Sequence, residues 1–278
     1  MAGIFTFTSP STLPNAGISS QYFTFTPSDT INYAIATGLI NVKVNKAAPA
    51  VITPPTASAI IYGQKLSSSI LSGGVASVAG TFAFTASSTA PSAGVASRGF
   101  TFTPTNTLNY NTTTGTVSVT VNKATPTIKT SPTASTIIYG QSLSSSILKG
   151  VGSVVGTFKF TSPSTMPNAG TVFQGFTFTP TDAIDYTTIT GTVQIKVSKA
   201  VPTVTALPTA VAIIYGQTLA ACTLSGGVGS VAGTFAFTSP NTVPKVGTAL
   251  QSFTYTPNDT TNYTTAVGKV NVKVNKAG

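Results

Sequence analysis

Asp29, Asp182, Asp185 and Asp259 are the only acidic side chains in this sequence of 278 residues, which also lacks His. Three of them, Asp29, Asp182 and Asp259, occupy one recurring position. It lies in Pro27-Ser28-Asp29-Thr30-Ile31-Asn32-Tyr33 and again in Pro180-Thr181-Asp182-Ala183-Ile184-Asp185-Tyr186. A repeated carboxylate could be a metal ligand. Neutral Asn106 fills the same position in the remaining unit, however, and no second acidic cluster lies nearby in sequence. Asn and Asp serve equally well in an Asx turn, where the side chain accepts a backbone N–H. We therefore expect turns here.

The other chemistry is equally sparse. Without His there is no Ser-His-Asp triad and no imidazole–metal site. Without Glu, little remains for paired-carboxylate hydrolysis or a calcium cage. Cys222 is the single cysteine, so no intrachain disulfide framework exists. It reads as a substitution for Ser68 and Ser145 of the other units, in a small, partly buried packing role. The residues thus predict no catalytic, cofactor-binding or metal-binding site, no cofactor, and a protein that is not an enzyme.

Two tyrosine sets recur. Tyr33, Tyr110, Tyr186 and Tyr263 follow the Asx position; a ring buried there could tie the loop through its hydroxyl, as a tyrosine corner does. Tyr62, Tyr139 and Tyr215 precede Gly-Gln and are expected at a domain edge. An aromatic platform for sugar is the functional alternative. Asn111, Asn258 and Asn262 match the glycosylation acceptor pattern, a common coincidence in Thr-rich sequence. The net charge of +10 is spread over every unit, from Lys46, Lys123, Lys199 and Lys276 at the junctions to the single Arg98. A nucleic-acid binder concentrates such charge on one face. No nucleic acid is expected, although long-range attraction to surface glycans or other anionic polymers is compatible with the charge.

These residues sit on a repeated frame. Ile61-Tyr62-Gly63-Gln64 returns at 138–141 and 214–217, and Gly80-Thr81-Phe82-Ala83-Phe84 returns at 156–160 and 233–237, at spacings of 76 or 77 residues. That period exceeds a solenoid unit and suits a small independent domain. The expected division is a partial repeat at 1–46, the second half of a unit, followed by complete repeats at 47–123, 124–199 and 200–278. The first half of the initial unit, matching 47–79, has no counterpart before Gly3.

The elements read as strands. Val193-Gln194-Ile195-Lys196-Val197 alternates with period two, as do residues 117–121 and 270–274, which is the pattern of a half-buried strand. Five to seven short strands per unit with Gly/Pro punctuation predict an all-β chain of small sandwiches. In the repeat at 124–199 the expected inner face is Ile138, Leu143, Leu148, Val154, Phe158, Phe160, Phe176, Phe178, Tyr186, Val193, Ile195 and Val197. The two Phe-x-Phe strands should pair or face each other, in one aromatic layer.

The repeat resembles the MBG family, mostly bacterial Gly-rich immunoglobulin-like repeats of large surface and adhesin-like proteins. The likeness rests on Ile137-Ile138-Tyr139-Gly140-Gln141, the Gly-rich turn within 148–157, Phe176-Thr177-Phe178-Thr179-Pro180-Thr181-Asp182, Tyr186, and Gly191-Thr192-Val193 through Lys199-Ala200. It implies tandem immunoglobulin-like sandwiches in an elongated rod. It also implies an extracellular or cell-surface stalk that holds a binding region away from the cell, with neighbouring repeats as partners and surface glycan or matrix as a contact. It supplies no catalytic residues. Met1-Ala2-Gly3 lacks the start of a signal peptide and there is no transmembrane span, which suggests a mature product or a fragment. Pro49, Pro126 and Pro202 at equivalent linker positions predict short, stiff joints. The alternative is a self-assembling extracellular filament, a homopolymer in which a neighbouring chain completes the half repeat.

Overall fold

The computed structural model describes all 278 residues. Packing divides them into two compact units, Met1–Ala124 with Ile184–Tyr186, and Thr125–Ala183 with Thr187–Gly278.

The first unit opens with a three-stranded antiparallel sheet, β1 (Gly3–Phe7), β2 (Gly17–Pro27) and β3 (Ala36–Val44), in that spatial order. A four-stranded sheet follows, ordered Ile60–Ile61, Thr113–Asn122, Gly94–Pro104, Gly80–Phe84. Two short ribbons, Val51–Thr53 with Val75–Ala76 and Thr56–Ala57 with Leu71–Ser72, complete the sandwich. Val51, Ala57 and Leu71 from the ribbons pack on a core of Ile60, Leu66, Phe84, Phe100, Val117, Val119 and Val121.

The second unit contains two more such sandwiches. One has the sheet Ile137–Ile138, Ile189–Ser198, Gly170–Pro180, Gly156–Phe160, faced by Ile128–Ala134 paired with Leu148–Gly152. The other has Ile213–Ile214, Ala266–Asn275, Gly247–Pro257, Gly233–Phe237, faced by two short ribbons. In every complete sheet the first strand runs parallel to the last, as in Ile137 opposite Val197, while the remaining pairs are antiparallel. The opening segment therefore switches sheets: 128–134 belongs to one layer and 137–138 to the other.

The alternation in the sequence explains the cores. Val193, Ile195 and Val197 are buried, while Gln194 and Lys196 between them are exposed. Each buried Val or Ile contributes roughly 1.5–3 kcal/mol. The Phe-x-Phe strands pair in register, Phe158 with Phe178 and Phe160 with Phe176, and the rings of Phe158 and Phe178 lie 4.7 Å apart. Glycines make room for them. Gly191 sits opposite Phe176, and a Cβ there would come within 2.7 Å of its ring.

Several assignments on the inner face change. Ile137, not Ile138, enters the core; Ile138 is half exposed. Two adjacent Ile residues in a two-residue strand point to opposite faces, and only the pairing with Val197 decides which points inward. Val154 is only half-buried and lies outside the core cluster. Tyr186 is half-buried and packs edge-on against Tyr62, 5.3 Å between ring centroids. Cys222 aligns in space with Ser69 and Ser146, one residue later than Ser68 and Ser145. All three donate to the carbonyl eleven residues earlier: Ser58, Ser135 and Val211.

Candidate functional site

The recurring Tyr-Gly-Gln and Asx motifs gather where one repeat meets the next. The Tyr-Gly-Gln motif is a turn: Gly140 has φ 89°, a left-handed conformation that glycine adopts without strain. Gln141 closes it, its side-chain oxygen accepting the Ile138 N–H at 2.8 Å. Gln64 and Gln217 do the same for Ile61 and Ile214, also at 2.8 Å. The turn sets its tyrosine at the rim of the sandwich, where Tyr62 and Tyr139 pack partly against their own cores. Tyr139 meets Tyr263 edge-on at 5.4 Å, an arrangement repeated by Tyr62 and Tyr186.

The Asx turns form as expected. Asp29 accepts the N–H groups of Ile31 and Asn32, each at 3.1 Å; Asn106 accepts that of Asn109, and Asp259 that of Asn262. The Asn32 side-chain amide, then its backbone N–H, hold the Asp29 carboxyl below its ordinary range. The turn's role is to aim the residue three places on. Asn109 Oδ1 accepts the Ala16 N–H at 2.8 Å, Asp185 Oδ1 accepts that of Ala93 at 2.6 Å, and Asn262 Oδ1 accepts that of Ala169 at 2.8 Å. Asp185 and Asn262 are buried.

The linker is fastened at the same place. Ala47 donates its N–H to the Asn109 carbonyl and accepts that of Asn111, both at 2.9 Å; Ala200 treats Asn262 and Thr264 identically. Ala124 donates to the Asp185 carbonyl at 2.9 Å. Lys46 Nζ donates to the Thr107 carbonyl at 2.7 Å and Lys199 Nζ to that of Thr260 at 2.6 Å. Pro49, Pro126 and Pro202 are buried beside these bridges.

The joint thus unites the junction lysines Lys46 and Lys199, Tyr186 and Tyr263, and the linker prolines. It adds Asn109, Asp185 and Asn262 as tethers of a loop in the preceding repeat, a role distinct from the glycosylation pattern that Asn262 matches. Their signal was present: Asn or Asp precedes the tyrosine in every unit, at 32, 109, 185 and 262. The tyrosines at the ends of the series are more open, Tyr33 at 49% and Tyr215 at 55% exposure. Asn262 is committed to these bonds and buried, which removes it as a glycosylation acceptor. Cys222 belongs to a core, where burial pushes its thiol pKa up. No group of three or more His, Cys, Asp or Glu side chains is placed to hold a metal ion. No helix is long and apolar enough to cross a membrane.

The sheet order, the parallel first strand and the repeated joint define a chain of tandem immunoglobulin-like β-sandwich repeats. Among solved structures it is similar to sidekick-1 immunoglobulin domains 1–5, at 10% identity over 99% of this chain and 74% of that one, with TM-score 0.31. It is also similar to the titin I-band fragment I67–I69 (10% identity, 83% and 99% covered, TM-score 0.35) and to Drosophila N-cadherin EC1-4 (11%, 92% and 83%, 0.22). No protein-family profile and no curated protein matches the sequence.

Proposed function

We propose that the chain is a run of extracellular spacer modules, a stalk of MBG-type repeats in a large bacterial surface adhesin or matrix protein. Complete modules lie at 47–123, 124–199 and 200–278, with a partial one at 1–46. The supporting observation is that the joint recurs, with the linker alanine bridged to the following turn at Ala47, Ala124 and Ala200. A linker fixed by backbone hydrogen bonds beside a buried proline has few soft dihedrals left. In this reading each module adds to the reach of the stalk, and the role needs no reactive side chains. Neighbouring repeats are the partners in this reading, and surface glycan or matrix is the further contact.

Pulling on the two ends tests a mechanical role. Three events of similar contour gain are expected, roughly 20–25 nm each, from extended chain at about 3.3–3.6 Å per residue less the folded length. A featureless extension would contradict the proposal.

The half repeat favours a second reading, the self-assembling filament in which a neighbouring chain completes residues 3–46. Its motive is the exposure of Phe5 at 68% and Phe7 at 47% on an open sheet. Electron microscopy of the concentrated chain checks it: absence of filaments would sink this reading.

A further inference from the structure

β1, β2 and β3 carry the residue types of the complete sheets in the same register, yet their apolar face is bare. Phe7 pairs with Phe23 as Phe84 pairs with Phe100. Phe84 is 8% exposed and its counterpart Phe7 47%; Val117 is 7% exposed and its counterpart Ile40 50%. Matched positions with unequal burial show how much of the core in a complete repeat is closed by its second layer. Two open troughs remain on the face, of about 370 and 290 Å³. Phe5, Phe7, Phe23 and Ile40 line the first, and Pro10, Thr12, Val42 and Val44 are among the residues lining the second.

The complete repeats show what fills such a face. In the stretch 124–199 the cover is residues 124–155. Ile137 pairs in parallel with Val197. Leu143, buried in a single 3-10 turn, donates its N–H to the Thr165 carbonyl at 2.9 Å, and Ser144 donates to that of Pro163 at 2.8 Å. Gly152 lies so close to the Phe178 ring that a Cβ would come within 2.5 Å of it. Aligning Gly156 with Gly3, every receptor has a counterpart in the half unit: Val44 for Val197, Thr12 for Thr165, Pro10 for Pro163 and Phe25 for Phe178.

We propose that the bare face of β1–β3 binds a first-half segment of this repeat, of the kind formed by residues 124–155. This interface is built three times over within the molecule itself, around Leu66, Leu143 and Leu219. The occupant is therefore defined chemically. It brings a two-residue strand parallel to β3, a leucine for the trough beside Val42 and Val44, two N–H donors for the carbonyls of Pro10 and Thr12, and a glycine over Phe25. A second bare half sheet offers neither the parallel strand nor those donors. The inference deepens the filament reading but does not need filaments: binding without polymerisation would defeat that reading alone.

The test titrates the full chain with a synthetic peptide of residues 124–155, followed by NMR and amide hydrogen exchange. One peptide should bind per chain, slowing exchange in β3 and leaving the sheet at 266–275 unchanged. Peptides carrying Leu143→Asp or Gly152→Leu should bind about tenfold more weakly or worse. Absence of binding at millimolar peptide would overturn the proposal. So would binding indifferent to both substitutions, or a chain dimer that is dispersed by Phe5→Ser but not by the peptide.

Discussion

The side-chain oxygen of Asn262 accepts the backbone N–H of Ala169 at 2.8 Å, while its amide nitrogen donates to Asp259 Oδ2 at 2.8 Å. One buried side chain thereby ties a turn to a loop 93 residues earlier. Asn262→Ala leaves the Ala169 N–H without its acceptor, at a cost of about 1–3 kcal/mol. Urea unfolding should show that loss. Hydrogen exchange at Ala169 should accelerate, while exchange at Val272 in the sheet centre should not exceed the change in global stability.

Asn32 occupies the same position in the half unit, where it bonds Asp29 in an exposed turn. Asn32→Ala should change stability by no more than about 0.5 kcal/mol. It should, however, raise the Asp29 pKa, because the Asn32 amide is the largest cause of its lowering. A carboxylate lowered in the fold contributes stability above its unfolded pKa, and that contribution is lost as pH falls through the folded value. NMR titration of Asp29 in both proteins checks this. An unchanged pKa in Asn32→Ala would contradict the turn geometry.

Gly268 lies under Phe253, which is fully buried, and a Cβ there would stand 2.4 Å from the ring. Gly268→Ala should destabilise by about 1–3 kcal/mol through overpacking. Gly38 has the same relation to Phe23 at 2.6 Å, but Phe23 is only half-buried and can move aside. Gly38→Ala should therefore cost clearly less. Equal costs in denaturant titrations would show that the bare sheet is as tightly packed as the complete one.

Cys222 donates to the Val211 carbonyl at 2.9 Å in the position where Ser69 and Ser146 make the same bond at 2.6 Å. Cys222→Ser should stay within about 1 kcal/mol of the parent. Burial raises the thiol pKa, so its contribution is present below the unfolded pKa and lost as pH rises through the folded value. Alkylation of the native chain should be at least about a hundredfold slower than in denaturant. Fast native labelling would contradict the buried placement.

Much of this was legible in the sequence because the same motifs return from unit to unit. Alternation at Val193, Ile195 and Val197 gave strand and face together, and the swap of Asn106 for Asp29 exposed a turn rather than a metal ligand. What escaped depended on distance or on a one-residue choice. Ile137 and Ile138 are chemically identical, and only a partner strand distinguishes them. Cys222 takes the place of Ser69 and Ser146 rather than Ser68 and Ser145, and the run of small residues around it offers no landmark in sequence. Asn109, Asp185 and Asn262 act on backbone N–H groups of alanines, which carry no side-chain signal of their role. Tyr186 looked like core because an aromatic beside a strand usually is; its partner, Tyr62, lies far away in sequence.

The proposed spacer role requires that the fastened joints extend the chain, and small-angle X-ray scattering of the chain in solution tests it most directly. A compact chain of this length has a radius of gyration of about 19 Å. Sandwiches with ten-residue strands, stacked lengthwise, give roughly 30–40 Å and an asymmetric distance distribution. A value near the compact figure would contradict the account.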